Sequence, residues 1–152
     1  VVVIGGEPLL EATKTEGTNV WLTLYGIPEA SYRLLWSDDL RQPIDWQPLF
    51  DLGLTGRWES IRLTGTTDPA TFYQAHEFIA DPPVVQIEEP AGGAAQLVLF
   101  GVPGARYVVE STADLTGAIG WTPERVVTLT ASFAVVDGIV PDGSRLYRAV
   151  RP

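Results

Sequence analysis

The chain's 152 residues, 45% hydrophobic and 19% charged, suit one ordinary domain or two small ones and exclude global disorder. With no Cys and one His, His76, the chain has no disulfides, thiolate nucleophiles, Cys-ligated zinc or multi-histidine metal sites. A net charge of −9 opposes a phosphate backbone and argues against nucleic acid, and no apolar run approaches the roughly 20 residues of a membrane-spanning helix.

In chain order, the first feature is Val1-Val2-Val3-Ile4, a β-prone apolar run that makes a poor solvated tail; residues 1–7 are read as an N-terminal strand. A start without Met reads as that of a processed or excised chain. The strongest signal follows, an internal repeat at a constant offset of 75 residues. Leu22-Thr23-Leu24-Tyr25-Gly26-Ile27-Pro28 recurs as Leu97-Val98-Leu99-Phe100-Gly101-Val102-Pro103, and Tyr32 as Tyr107. Trp46-Gln47-Pro48 returns as Trp121-Thr122-Pro123, Trp58 as Phe133, and, with a slip of one residue, Phe72-Tyr73-Gln74-Ala75 as Leu146-Tyr147-Arg148-Ala149.

Each unit reads as strands. Alternation over residues 20–25 and 96–100 places Leu22/Leu24 and Leu97/Leu99 on one face. The Gly-x-Pro that follows is expected to turn the chain, with Gly supplying an unusual φ. Second strands carry Tyr32/Leu34 and Tyr107/Val109 inward; Trp46 and Trp121 are expected as buried anchors after Asp-rich loops. Later strands are expected near 57–63 and 126–136, and a last one at Tyr73 and Tyr147. Short strands at regular spacing between turn residues mean a sandwich or barrel. The expected fold is all-β: two tandem immunoglobulin-like or fibronectin-like β-sandwiches, at 8–80 and 81–152, packed end to end across the stiff Asp81-Pro82-Pro83 connector.

Leu97-Val98-Leu99-Phe100-Gly101-Val102-Pro103-Gly104 with Tyr107, Glu110-Ser111-Thr112, Asp114-Leu115, Trp121, Pro123 and Leu146-Tyr147-Arg148-Ala149 resembles a bacterial β-sandwich repeat. That repeat belongs to large exported proteins of Verrucomicrobia-like and Planctomycetes-like bacteria. The first unit departs from it: Leu35-Trp36-Ser37 stands in place of Glu-Ser-Thr, and Gln74 in place of Arg. The resemblance implies an extracellular or cell-surface location and no enzyme activity, cofactor or catalytic residue.

Chemistry-bearing residues offer little to set against that. His76 has no Gly-x-Ser-x-Gly elbow to serve, and its repeat partner is Val150, so a solvated strand-end histidine is expected. Asp38, Asp39, Asp45 and Asp51 are hard-oxygen candidates for Ca²⁺, but lack Asp-x-Asp-x-Asp-Gly spacing, and only Asp114 recurs in unit two; turn capping is the expected role, with no metal. No paired acids for glycoside hydrolysis repeat. Unit two lacks Lys, which excludes an isopeptide cross-link there. Trp46, Trp121 and Trp58 are expected in the cores. Trp21 and Trp36 have Gln96 and Ser111 as repeat partners, so the fold does not demand an aromatic there, and both are candidate contact aromatics.

Carrying the 75-residue register outward sets Val1-Val2-Val3-Ile4 against His76-Glu77-Phe78-Ile79, whereas unit two stops at Val150-Arg151-Pro152. Two outcomes are open: the run pairs within its own chain, or it completes a neighbour's second unit near Val150. The second gives an open head-to-tail filament of a structural protein whose partner is itself. The alternative is an adhesion module from a larger secreted protein, binding surface glycans or proteins through Trp21 or Trp36.

Overall fold

The computed structural model describes residues 8–14, 19–64, 71–89, 93–116, 120–141 and 144–152. It divides into two compact units, residues 1–78 and 79–152. All regular structure in the described residues is β, in four antiparallel sheets of three strands each, and no helix there is long and apolar enough to cross a membrane.

Unit one contains β1 (Leu9–Lys14), β2 (Val20–Tyr25), β3 (Ser31–Ser37), β4 (Gln47–Gly53), β5 (Trp58–Leu63) and β6 (Phe72–Glu77). Its sheets run β1-β2-β5 and β4-β3-β6. Period-2 alternation sends Leu22 and Leu24 of β2 and Tyr32 and Leu34 of β3 into one core with Leu52 and Leu54, flanked by Leu10, Ile61, Leu63, Tyr73 and Ala75. Side chains from both sheets thus meet in a single layer, the sandwich arrangement.

Unit two contains β7 (Val84–Glu88), β8 (Gln96–Phe100), β9 (Arg106–Thr112), β10 (Thr122–Thr128), β11 (Phe133–Val135) and β12 (Leu146–Val150). The sheets β7-β8-β11 and β10-β9-β12 repeat the order of unit one, around Leu97, Leu99, Tyr107, Val109, Leu129 and Val136.

Hydrogen bonds outside the ladders repeat at the sequence offset. Gly26 N–H donates to the Arg57 carbonyl and Gly101 N–H to that of Ser132; Leu54 N–H donates to Ala30 and Leu129 N–H to Ala105. Between these turns, the Ile27 N–H donates to the Tyr32 hydroxyl at 2.7 Å, and the Val102 N–H to the Tyr107 hydroxyl at 2.9 Å. After the next strand, Ser37 Oγ donates to the Asp39 carbonyl and Thr112 Oγ1 to that of Asp114.

Two expectations are corrected. Gly26 and Gly101 do not have left-handed φ; that conformation falls three residues later, at Glu29 (φ 67°) and Gly104 (φ 82°). The glycines are required for close approach instead: a Cβ on Gly26 would lie 2.6 Å from Tyr32 Cζ, and one on Gly101 2.8 Å from Tyr107 Cζ. The strand expected over 126–136 is two strands in different sheets, β10 and β11, because the chain crosses the sandwich at Leu129, which is tied to Gly104 and Ala105. β4 and β10 contain Pro48 and Pro123; both lie at sheet edges, where a missing N–H costs no ladder bond, and the ladders they join shift register at Leu34/Leu35 and Pro123/Arg125.

Candidate functional site

The Asp-rich loop after β3 is held by its own hydrogen bonds. Asp39 Oδ1 accepts from the Arg41 N–H at 2.9 Å and Oδ2 from Arg41 Nε at 2.7 Å, and these bonds, the backbone one foremost, lower its carboxyl below the usual range. Asp51, on β4, forms a bidentate pair with Arg33 directly opposite on β3, at 2.7 and 2.8 Å. Trp36 is half-buried in β3 and lines a pocket of about 310 Å³ with Asp38, Asp39, Asp45 and Arg41. No group of three or more His, Asp or Glu side chains among the described residues is arranged to hold a metal ion. His76 is exposed on β6, opposite Arg33.

The aromatic residues separate differently from the sequence expectation. Trp46 and Trp121 are half-buried, and the Arg148 guanidinium lies 4.2 Å over the Trp121 ring while paired with Glu110 at 2.8 Å. Trp58 is not core: it is 61% exposed. Alternation in β5 turns Ile61 inward and Trp58, Ser60 and Arg62 outward, so equivalence to the buried Phe133 misassigned it.

Trp21 is 39% exposed and also points outward, with Thr23 and Tyr25 on the same face of β2. Cross-strand register arranges this outer face in rows: Leu9–Tyr25–Trp58, Glu11–Thr23–Ser60 and Thr13–Trp21–Arg62. The Thr23 and Ser60 hydroxyls are 2.8 Å apart, and the Tyr25 hydroxyl points at Glu11 Oε2, 3.4 Å away. The sequence singled out Trp21 but not Tyr25, Thr23, Ser60 or Trp58. The period-2 pattern of β2 carried that signal for Tyr25, whereas the pairing of β2 with β5 is a tertiary fact.

Sheet edges form a second feature. The edges at β4 and β10 carry Pro48 and Pro123 and irregular ladders, two devices that blunt strand addition. The opposite edges carry neither: β6 pairs with β3 without interruption from Phe72 to Glu77, and β12 with β9 from Leu146 to Val150. Among the described residues, no strand hydrogen-bonds to the outer side of β6 or β12. Val150, half-buried, closes β12 opposite Val108. Val1, Val2, Val3 and Ile4 lie outside the described residues. No protein-family model, curated protein or solved structure matches the chain.

Proposed function

We propose that this chain is a non-enzymatic structural protein, exported to the cell surface or beyond, made of two tandem immunoglobulin-like sandwiches that associate by strand addition. In immunoglobulin lettering, the sheets β1-β2-β5 and β4-β3-β6 correspond to A-B-E and C′-C-F, and unit two repeats that order. The seventh strand, G, has no counterpart among the described residues, and its place lies beside β6 and β12. The observation that carries the proposal is the asymmetry of edges: proline and irregular register guard the C′ side in both units, while the F side is regular and unguarded.

Of the β6 and β12 edges, β12 is the more apolar. It reads Leu-Tyr-Arg-Ala-Val, its one charge engaged by Glu110, whereas β6 ends His-Glu. Val1-Val2-Val3-Ile4 of a second copy suits that edge, since backbone hydrogen bonds give a donated strand its affinity and alternate side chains its register. Because donor and acceptor are different surfaces, the contact repeats without closing and yields a head-to-tail filament. The resemblance to repeats of large exported bacterial proteins agrees with this role.

Negative-stain microscopy and sedimentation of the full chain test it. The intact chain should form uniform filaments, and deletion of residues 1–4 should leave folded monomers. Filaments that persist after the deletion, or an intact chain that stays monomeric at high concentration, would overturn the reading.

A further inference from the structure

The outer face of the β1-β2-β5 sheet holds residues the fold does not need. At the same positions in unit two stand Gln96 for Trp21, Val98 for Thr23, Phe100 for Tyr25, Phe133 for Trp58 and Val135 for Ser60. There Val98, Phe100 and Phe133 are buried, and Phe100 and Phe133 pack with ring centroids 6.2 Å apart. The three positions that are apolar and buried in unit two, Val98, Phe100 and Phe133, are thus hydroxyl-bearing or indole side chains in unit one, half-buried at Thr23 and Tyr25 and exposed at Trp58. A mixed face has a different chemistry from one awaiting a dry protein contact.

From this composition we infer that the outer face of β1-β2-β5 is a binding platform for a neutral polysaccharide chain. Pyranose rings present apolar C–H faces and polar hydroxyl rims, and the platform supplies a partner for each. Trp58 with Tyr25 at one end and Trp21 at the other are aromatic surfaces for stacking; Trp21 and Tyr25 are four residues apart along β2, about 13 Å at the usual strand rise. Between and beside them lie the Thr23 and Ser60 hydroxyls and the Arg62 guanidinium, which has no hydrogen-bond or ion-pair partner among the described residues. Charge selects the ligand class. The face carries one acid, Glu11, and one base, Arg62, on a chain of net charge −9, so a nonionic chain binds without repulsion and a polyanion does not. An open sheet face suits an extended polymer rather than a small ligand, which needs a concave pocket.

The platform lies on a different sheet from the open β6 edge and in a different unit from β12, so the two proposals fail separately. The test is affinity electrophoresis of the full chain through gels containing hydroxyethylcellulose, xylan, mixed-linkage β-glucan or galactomannan, with tryptophan fluorescence titrations of the polymer that retards it. Retardation by at least one is expected, with Trp58→Ala and Trp21→Ala each weakening binding about tenfold or more, as loss of a central aromatic anchor does. His76→Ala, on the other sheet, should bind like the parent, and circular dichroism of each variant should match it. Three results would overturn the inference: no retardation by any of the four polymers, retardation undiminished in both tryptophan variants, or a concentration-dependent dimer lost in Trp58→Ala, which would give the face to a second copy.

Discussion

The Tyr32 and Tyr107 side chains explain why each unit repeats a glycine six residues upstream. The hydroxyl end of each ring packs against Gly26 or Gly101, and each hydroxyl accepts the N–H of the following residue, so a half-buried turn donor is satisfied by a side chain rather than by water. Burial raises the Tyr32 hydroxyl above its ordinary value, against the lowering effect of the Ile27 N–H. Tyr107→Phe keeps the packing and orphans the Val102 N–H; it should cost about 1–3 kcal/mol in chemical denaturation. Gly101→Ala should cost more than Gly104→Ala, because the first meets the Tyr107 ring and Leu129 while the second meets only backbone strain. Glu29 occupies the left-handed position that Gly104 fills in unit two, so Glu29→Gly should stabilise by about 0.5–1 kcal/mol.

Glu88 supplies a pH prediction at the same scale. Burial raises its carboxyl above the usual glutamate range, only partly offset by hydrogen bonds from Gln96 and Gln86. The native state therefore holds this proton more tightly than the unfolded chain does. Its contribution to stability is complete below the ordinary glutamate value and is lost as pH rises through the raised folded one. Glu88→Gln should accordingly raise Tm at pH 7, and the advantage should disappear near pH 3.

Between elements, one cross-strand position is solved in two ways. Arg33 faces Asp51 in the β3–β4 ladder, and Val108 faces Val126 at the equivalent place in β9–β10. Asp51 is nearly buried and Arg33 is also stacked 4.6 Å over Phe78, so the pair is ordered at both ends. Asp51→Ala should cost about 1–2 kcal/mol, the low end for charged hydrogen bonds because Arg33 retains access to water. The double change Arg33→Val with Asp51→Val copies unit two and should be nearly neutral, since an ion pair and a packed apolar pair often contribute alike. Denaturation of the single and double variants separates those outcomes. The β-edge asymmetry belongs to this scale too: proline is visible in the sequence, but that it sits on an edge, and that β6 and β12 form the opposite edges, comes from pairing.

For the whole molecule, the two cores share no residue, and each unit closes its own sandwich without a disulfide. Domains of this size bury only roughly 60% of the unfolded chain's surface, which leaves each one marginal. A fragment spanning residues 79–152 should still unfold cooperatively by circular dichroism. A non-cooperative melt would show that the second core depends on the rest of the chain.

Composition, the 75-residue repeat and period-2 alternation were enough to determine an all-β chain with two equivalent halves and their inward faces, because Leu22/Leu24, Tyr32/Leu34 and their partners encode burial locally. Sequence could not place Trp58, which matches a buried phenylalanine yet stands in solvent, nor resolve residues 126–136 into strands of two different sheets. It also gave Gly26 the wrong role, since the ring that forbids a Cβ there arrives from the next strand. Which edges stay open, and which aromatics share a face, depend on pairing between distant segments. Such contacts leave no periodicity in the chain that makes them, so only the tertiary structure decides them.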